Sequence, residues 1–209
     1  MNGLDEFLHK AIFQAIQNEM DSSELGRIKQ KLHAGGIEFE EFINKFGQIK
    51  KPEFHFEHEL KKIEDGVLRR LYSIQDESQE TWIVIQNKYL TELILKTFAD
   101  EDKKKILDAI RARSDTIPKM LTRCGLPNTS GYRKTRQLID DCFVIPTGLA
   151  ETFEGRRALL YKTVIEKIQI VINKADIFAK ILVPKDVVSS SYIVKMITEL
   201  EQGKRTLAN

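Results

Sequence analysis

The stretch Cys124-Gly125-Leu126-Pro127-Asn128, running on through Thr129-Ser130-Gly131-Tyr132-Arg133-Lys134-Thr135-Arg136-Gln137 to Leu138-Ile139-Asp140-Asp141, decides how this chain is read. Gly and Pro make residues 124–128 a tight turn. After it the pattern takes a helical period, with Thr135, Leu138, Ile139 and Cys142 on one face. The opposite face carries Ser130, Arg133 and Gln137, with Thr129 and Arg136 toward its edges. Lys134 and Tyr132 lie on its two flanks. Hydrogen-bond donors therefore cover the N-terminal half of the outer face, and the acids Asp140 and Asp141 stand at the far end. The spacing predicts a helix over about 129–141.

Reading outward, Asp100-Glu101-Asp102 opens a preceding helix, where acids suit the positive end of the dipole. Ile106, Leu107 and Ile110 are its inward residues. Thr116 caps a short helix with Ile117, Met120 and Leu121. Beyond the 129–141 helix, Val144-Ile145 and Leu159-Leu160-Tyr161 read as strands. Between them lie Gly148, Gly155 and the pair Arg156-Arg157. Helix, short helix, turn, helix, two-stranded ribbon is the order of a winged helix-turn-helix. The recognition helix would be about 129–141 and the wing about 147–158.

That arrangement has a definite chemistry. Arg pairs bidentately with guanine, and Gln with adenine, through major-groove base edges. Ser, Thr and Lys more often hold phosphates, which fixes position without reading sequence. A ribbon tip with two arginines reaches a minor groove or the flanking backbone. The expected contacts to double-stranded DNA are therefore Thr129, Ser130, Tyr132, Arg133, Lys134, Arg136 and Gln137 on the helix, with Arg156 and Arg157 on the wing. The competing reading of such a face is a solvated surface. Charge sorting favours DNA, since residues 111–162 hold 10 Lys/Arg against 5 Asp/Glu; the wider split points the same way without settling it alone. Residues 1–98 hold 13 Lys/Arg against 17 Asp/Glu, whereas residues 99–209 hold 20 against 14.

The remaining elements frame this unit. Leu4, Leu8, Ile12, Ala15 and Ile16 predict an amphipathic helix over 4–20. Asp21-Ser22-Ser23-Glu24 looks like a capping box ahead of a helix with Leu25, Ile28 and Leu32, closed by Gly35-Gly36. Residues 37–46 suggest a third short helix and residues 60–71 a fourth. The polar run 75–80 reads as a linker, Trp82-Ile83-Val84-Ile85 as a strand, and Leu90 to Thr97 as a helix. Residues 168–172 and 177–183 alternate as a β-hairpin turning at Asn173-Lys174; a long helix competes, but the Ile/Val density favours strand. Ser189 or Ser190 is expected to cap a last helix. The expected fold is mainly α with small β. An N-terminal helical region (1–80) precedes the winged helix-turn-helix domain (81–164), and a β-hairpin with a C-terminal helix (165–209) follows.

Composition limits the classes of function. With 209 residues, 42% hydrophobic and 31% charged, the chain can build a core. No apolar run is long enough to span a membrane. Met1-Asn2-Gly3-Leu4-Asp5 has no signal-peptide pattern, so a cytoplasmic location is expected. Two cysteines, Cys124 and Cys142, make no disulfide framework and read as small buried hydrophobes, with a redox switch as the sharper alternative. His55 and His58 make at most half a metal site. No Walker A loop, dinucleotide fingerprint or hydrolase motif is present, so neither an enzyme nor a cofactor is expected. Phe39, Phe42, Phe46, Phe54 and Phe56 could line a ligand pocket, though ordinary core is the plainer use of them.

At Thr129-Ser130-Gly131-Tyr132-Arg133-Lys134 the chain resembles archaeal winged-helix transcriptional regulators of the arsenic-repressor-like (ArsR-like) class, in particular ammonia-oxidising-archaeal proteins with an N-terminal helical region. Ala11-Ile12-Phe13-Gln14-Ala15-Ile16, Asp100-Glu101-Asp102-Lys103-Lys104-Lys105-Ile106-Leu107 and Leu138-Ile139-Asp140-Asp141 carry the same likeness. The resemblance implies sequence-specific binding to promoter DNA, usually as a homodimer. The N-terminal helices would serve dimerisation, sensing or contact with the transcription machinery. The cysteine-rich metal-sensing motif of some members is absent. Relatives commonly carry Gly after the paired acids, where this chain has Cys142. The alternatives are a protein-interaction adaptor that docks through the winged helix, and a regulator sensing a ligand in its N-terminal helices.

Overall fold

The computed structural model describes residues 3–44, 72–77, 80–151, 155–174, 176–191 and 193–195. The helix expected at 60–71, His55 and His58, and the aromatics Phe46, Phe54 and Phe56 lie outside the described residues. Three helices open the chain: α1 (Gly3–Glu19), α2 (Ser22–Ala34) and α3 (Phe39–Asn44). Leu4, Leu8, Ile12, Ala15 and Ile16 are all buried, as their spacing requires. Asp21 caps α2 by accepting the Ser23 N–H.

The strands β1 (Tyr72–Glu77) and β2 (Glu80–Ile85) follow, then helices α4 (Lys88–Ala99), α5 (Glu101–Ala109), α6 (Ile117–Cys124) and α7 (Asn128–Asp140). The hairpin β3 (Val144–Glu151) and β4 (Arg157–Thr163) comes next. A second hairpin, β5 (Lys167–Asn173) and β6 (Asp176–Leu182), and the short helix α8 (Lys185–Ser190) complete the described elements.

The chain is thus mixed helix and sheet, with a larger β share than its sequence pattern indicates. Among the described residues, six strands form two antiparallel sheets: a four-stranded one in the order β1-β2-β6-β5, and the separate pair β3-β4. The polar run 75–80 is not a linker. It carries the end of β1 and the start of β2, with Glu77 opposite Glu80. Polar residues fit there because alternate positions of a strand can face water. Trp82, Ile83, Val84 and Ile85 are all buried, so β2 is covered on both faces. It lies between β1 and β6, and residues 86–166 leave the sheet and return to it at β5. Strand pairing therefore ties together all three of the segments expected from sequence.

One apolar core runs from α1 through α4, α5, α6 and α7 to β2 and β6. Phe143 is fully buried at its centre. Its ring meets Phe7 of α1 edge-on at 5.3 Å and Phe98 of α4 at 6.3 Å. In the first turn of α1, two residues before Phe7, buried Asp5 accepts the Ser191 hydroxyl at 2.5 Å and the Ile193 N–H at 3.4 Å. Ser191 Oγ in turn accepts the Val194 N–H at 3.1 Å. Ser191, rather than Ser189 or Ser190, therefore caps helical residues 193–195; the two expected serines sit inside α8. The pairing matters because a buried carboxylate without donors costs several kcal/mol.

His9 is buried on α1, and burial lowers its pKa from 6.5 to about 4. The unfolded chain therefore binds a proton that the folded chain refuses between these values. Stability present above pH 6.5 is lost as pH falls through that window, by about 2 kcal/mol at pH 5. Melting temperature should fall accordingly between neutrality and pH 5. His9→Gln should flatten that slope, and an unchanged slope in the variant would reassign the acid sensitivity to other groups.

Candidate nucleic-acid interface

Helices α5, α6 and α7 pack on one another, and β3 follows α7 directly. Asp100 caps α5 by accepting the N–H groups of Asp102 at 3.0 Å and Lys103 at 3.2 Å. Pro118 occupies the first turn of α6, where a missing N–H costs nothing. Gly125 ends α6 in the left-handed conformation, and the Leu126 N–H returns to the Leu121 carbonyl. The same closure ends α7: the Cys142 N–H reaches Ile139 O and the Phe143 N–H reaches Leu138 O. Cys142 therefore adopts φ +60°, a left-handed conformation that glycine takes without strain.

Between α5 and α6, Asp115 forms a β-bridge to Tyr161 of β4, through backbone bonds in both directions. The Asp115 carboxylate also accepts the Thr116 N–H and pairs with Arg123. Arg123 donates as well to the Ala109 carbonyl. This knot fixes the hairpin root to both α5 and α6. The hairpin then runs outward with one irregularity at Thr147, and ends with Glu151 opposite Arg157. Gly155 turns at φ +72°.

The inner face of α7 follows its pattern in part: Thr135 and Leu138 are buried, Ile139 and Cys142 are half-buried against the core, and Gly131, outside the expected stripe, is buried with them. Thr135 bonds back to the Gly131 carbonyl. Gly131 permits the approach of α6: a Cβ there would lie 2.5 Å from Leu121 Cδ2 and 3.2 Å from its Cγ. On the outer face Thr129, Tyr132, Arg133, Arg136 and Gln137 are exposed. Arg133 and Arg136 have no side-chain partner among the described residues.

Three expected residues are placed differently from that face. Lys134 is not an outward donor: its Nζ lies 2.7 Å from Asp100 Oδ1 and 2.9 Å from Asp102 Oδ2. The Asp100 and Asp102 hydrogen bonds raise its pKa, and the Lys134 bond holds the Asp100 carboxyl below its ordinary value. Its charge is spent joining α7 to the start of α5. The helical wheel gives Lys134 a flank position, and only tertiary packing sets two carboxylates beside that flank. Ser130 is half-buried and donates to the Pro127 carbonyl at 3.3 Å. Arg156 is exposed but engaged within the chain, whereas Arg157 is exposed without a side-chain partner among the described residues.

The structure also adds cations that the face-by-face reading passed over. Arg113 and Lys119 flank an open cleft with Pro118, Thr122 and Leu160, at the meeting of α6 and β4. The excess of 10 Lys/Arg over 5 Asp/Glu in residues 111–162 was the signal for them, but charge counts do not locate a cleft. The acids are arranged oppositely: Asp141 pairs with Lys10 of α1 at 3.9 Å, at the far end of α7.

The other expected sites resolve as core or remain apart from this face. Phe39 and Phe42 are buried and stack on each other. Burial pushes both cysteine thiols up, which disfavours the reactive thiolate. No group of three or more metal-binding side chains occurs among the described residues. No described helix is long and apolar enough to cross a membrane. Compared with known protein families, curated proteins and solved structures, the chain matches none of them.

Gly131→Ala should destabilise the protein by about 1–3 kcal/mol, since the added methyl overpacks Leu121. Chemical denaturation reads this directly. Leu121→Val in the same chain should recover part of the loss, and strict additivity would show that the two helices do not meet there.

Proposed function

We propose that this protein is a sequence-specific DNA-binding transcriptional regulator, with α7 as the recognition helix and β3-β4 as the wing of a winged helix-turn-helix. The observation that carries the proposal is the division of α7 into a buried apolar side and an outer side bearing Arg133, Arg136 and Gln137, whose two guanidinium groups have no partner among the described residues. A stable surface does not require that arrangement, and a duplex uses it. The element order, the left-handed turn at Gly125 and the Asp115–Tyr161 bridge support the same reading.

In this reading Arg133 and Gln137 address base edges, and Thr129, Tyr132 and Arg136 border them. Pro127 offers no side-chain cap to α7, which leaves the first backbone N–H groups for a phosphate. Arg157 takes the backbone or minor groove beside the wing, and Lys119 and Arg113 continue the positive track. Lys134 acts from behind, by holding α7 to α5. Two copies acting together would read a two-fold symmetric site, as the likeness to ArsR-like regulators implies.

Selection from a random duplex pool, followed by mobility shift across salt, tests the proposal. Affinity should fall steeply with salt, because each neutralised phosphate releases counterions. Arg133→Ala should cost about 1–3 kcal/mol and relax preference at one base position. Lys134→Ala should instead lower the melting temperature and leave base preference intact. Failure to enrich any sequence, with weak binding indifferent to Arg133→Ala, would overturn the reading.

A further inference from the structure

The four-stranded sheet ends in β5, Lys167-Ile168-Gln169-Ile170-Val171-Ile172-Asn173, which has a neighbour on only one side among the described residues. Natural sheets usually blunt such an edge with charge or proline. This one is apolar. Ile168, Ile170 and Ile172 lie opposite Ile181, Ala179 and Ile177 of β6, and residues directly opposite share a face. Ile181 and Ala179 are fully buried, while Ile170, Ile172 and Ile177 are 39%, 71% and 47% exposed. The core side of the sheet therefore runs out to the edge and into solvent.

We infer that β5 pairs antiparallel with β5 of a second copy, about a two-fold axis at Ile170. The spacing of the strand is self-complementary about that residue. Ile170 meets itself, and Ile168 meets Ile172 of the second copy. Just beyond the strand ends, where each chain turns away from β5, exposed Glu166 comes near exposed Lys174 of the second copy, an opposite-charge pair formed twice. Lys167 falls opposite Asn173 of the second copy, and it is already paired with Glu80 at 3.0 Å, so no like charges oppose. A symmetric dimer requires such a self-matching surface. The pairing joins two four-stranded sheets into one and merges their exposed isoleucine strips. It uses none of the side chains proposed to touch the duplex, so its loss removes the two-fold reading but leaves the contacts of each single copy, and loss of those contacts leaves the dimer.

Sedimentation of the full chain tests the pairing. A concentration-dependent dimer is expected. Ile172→Lys should give a monomer with unchanged circular dichroism and melting, since that side chain is mostly in solvent. Glu166→Lys or Lys174→Glu alone should weaken the dimer up to about tenfold, and the two together should restore it. Ile170→Cys should form a disulfide-linked dimer on mild oxidation, while Ile172→Cys, displaced from the axis, stays at the level of the parent chain. A parent chain that sediments as a monomer, a dimer indifferent to Ile172→Lys, or no crosslink at Ile170→Cys would each overturn the proposal. The first result would leave the edge to an extended segment of another protein.

Discussion

Burial of Phe143 is the constraint on which the arrangement depends. Its N–H closes α7, and its carbonyl accepts the Val164 N–H at the root of the β3-β4 hairpin. Its ring locks against Phe7 and Phe98, two edge-on contacts worth about 0.5–1.5 kcal/mol each beyond area burial. Four elements thus meet at one side chain. The residue before it, Cys142, takes the strained left-handed turn because Phe143 must be turned inward immediately after the helix ends. The helix that bears the outer donors and the hairpin that bears Arg157 are therefore joined rigidly at their roots.

Charge is distributed by that packing. Lys134 and Arg123 are drawn into structural pairs with Asp100, Asp102 and Asp115, so they steady the three-helix unit. Asp141 is held by Lys10 away from the start of α7. What stays outside is Arg133, Arg136, Gln137 and Arg157, with Lys119 and Arg113 nearby. The positive surface of this unit is smaller than its Lys/Arg count and more sharply placed.

The N-terminal helices are part of the same body as this unit. Gly3 sits so close to Ile145 and Val164 that a Cβ would fall 2.5 Å from Ile145 Cγ2. Asp5 binds the segment after α8, and Phe7 binds Phe143. The first turns of α1 therefore pack directly on the hairpin root.

The sequence by itself determined the local elements. Periodicity marked α1, α2 and the helices from 88 to 140, and the alternation of Ile and Val marked β5 and β6, because side-chain patterning is set by neighbours within a few residues. The cap at Asp21 was legible for the same reason, whereas only the likeness to relatives with Gly at that place pointed to the ending at Cys142. Tertiary structure alone decided what depends on distant partners. The pattern could not show that 72–77 is a strand, since its polar residues pair with β2. It could not place β2 beside β6, nearly a hundred residues later, nor move the cap from Ser189 or Ser190 to Ser191, which Asp5 selects. Lys134 looked like any other donor on the helix until Asp100 and Asp102 were brought to it. Contacts of that kind are fixed by how whole faces bury against one another, and a helical wheel contains no information about the far side of the contact.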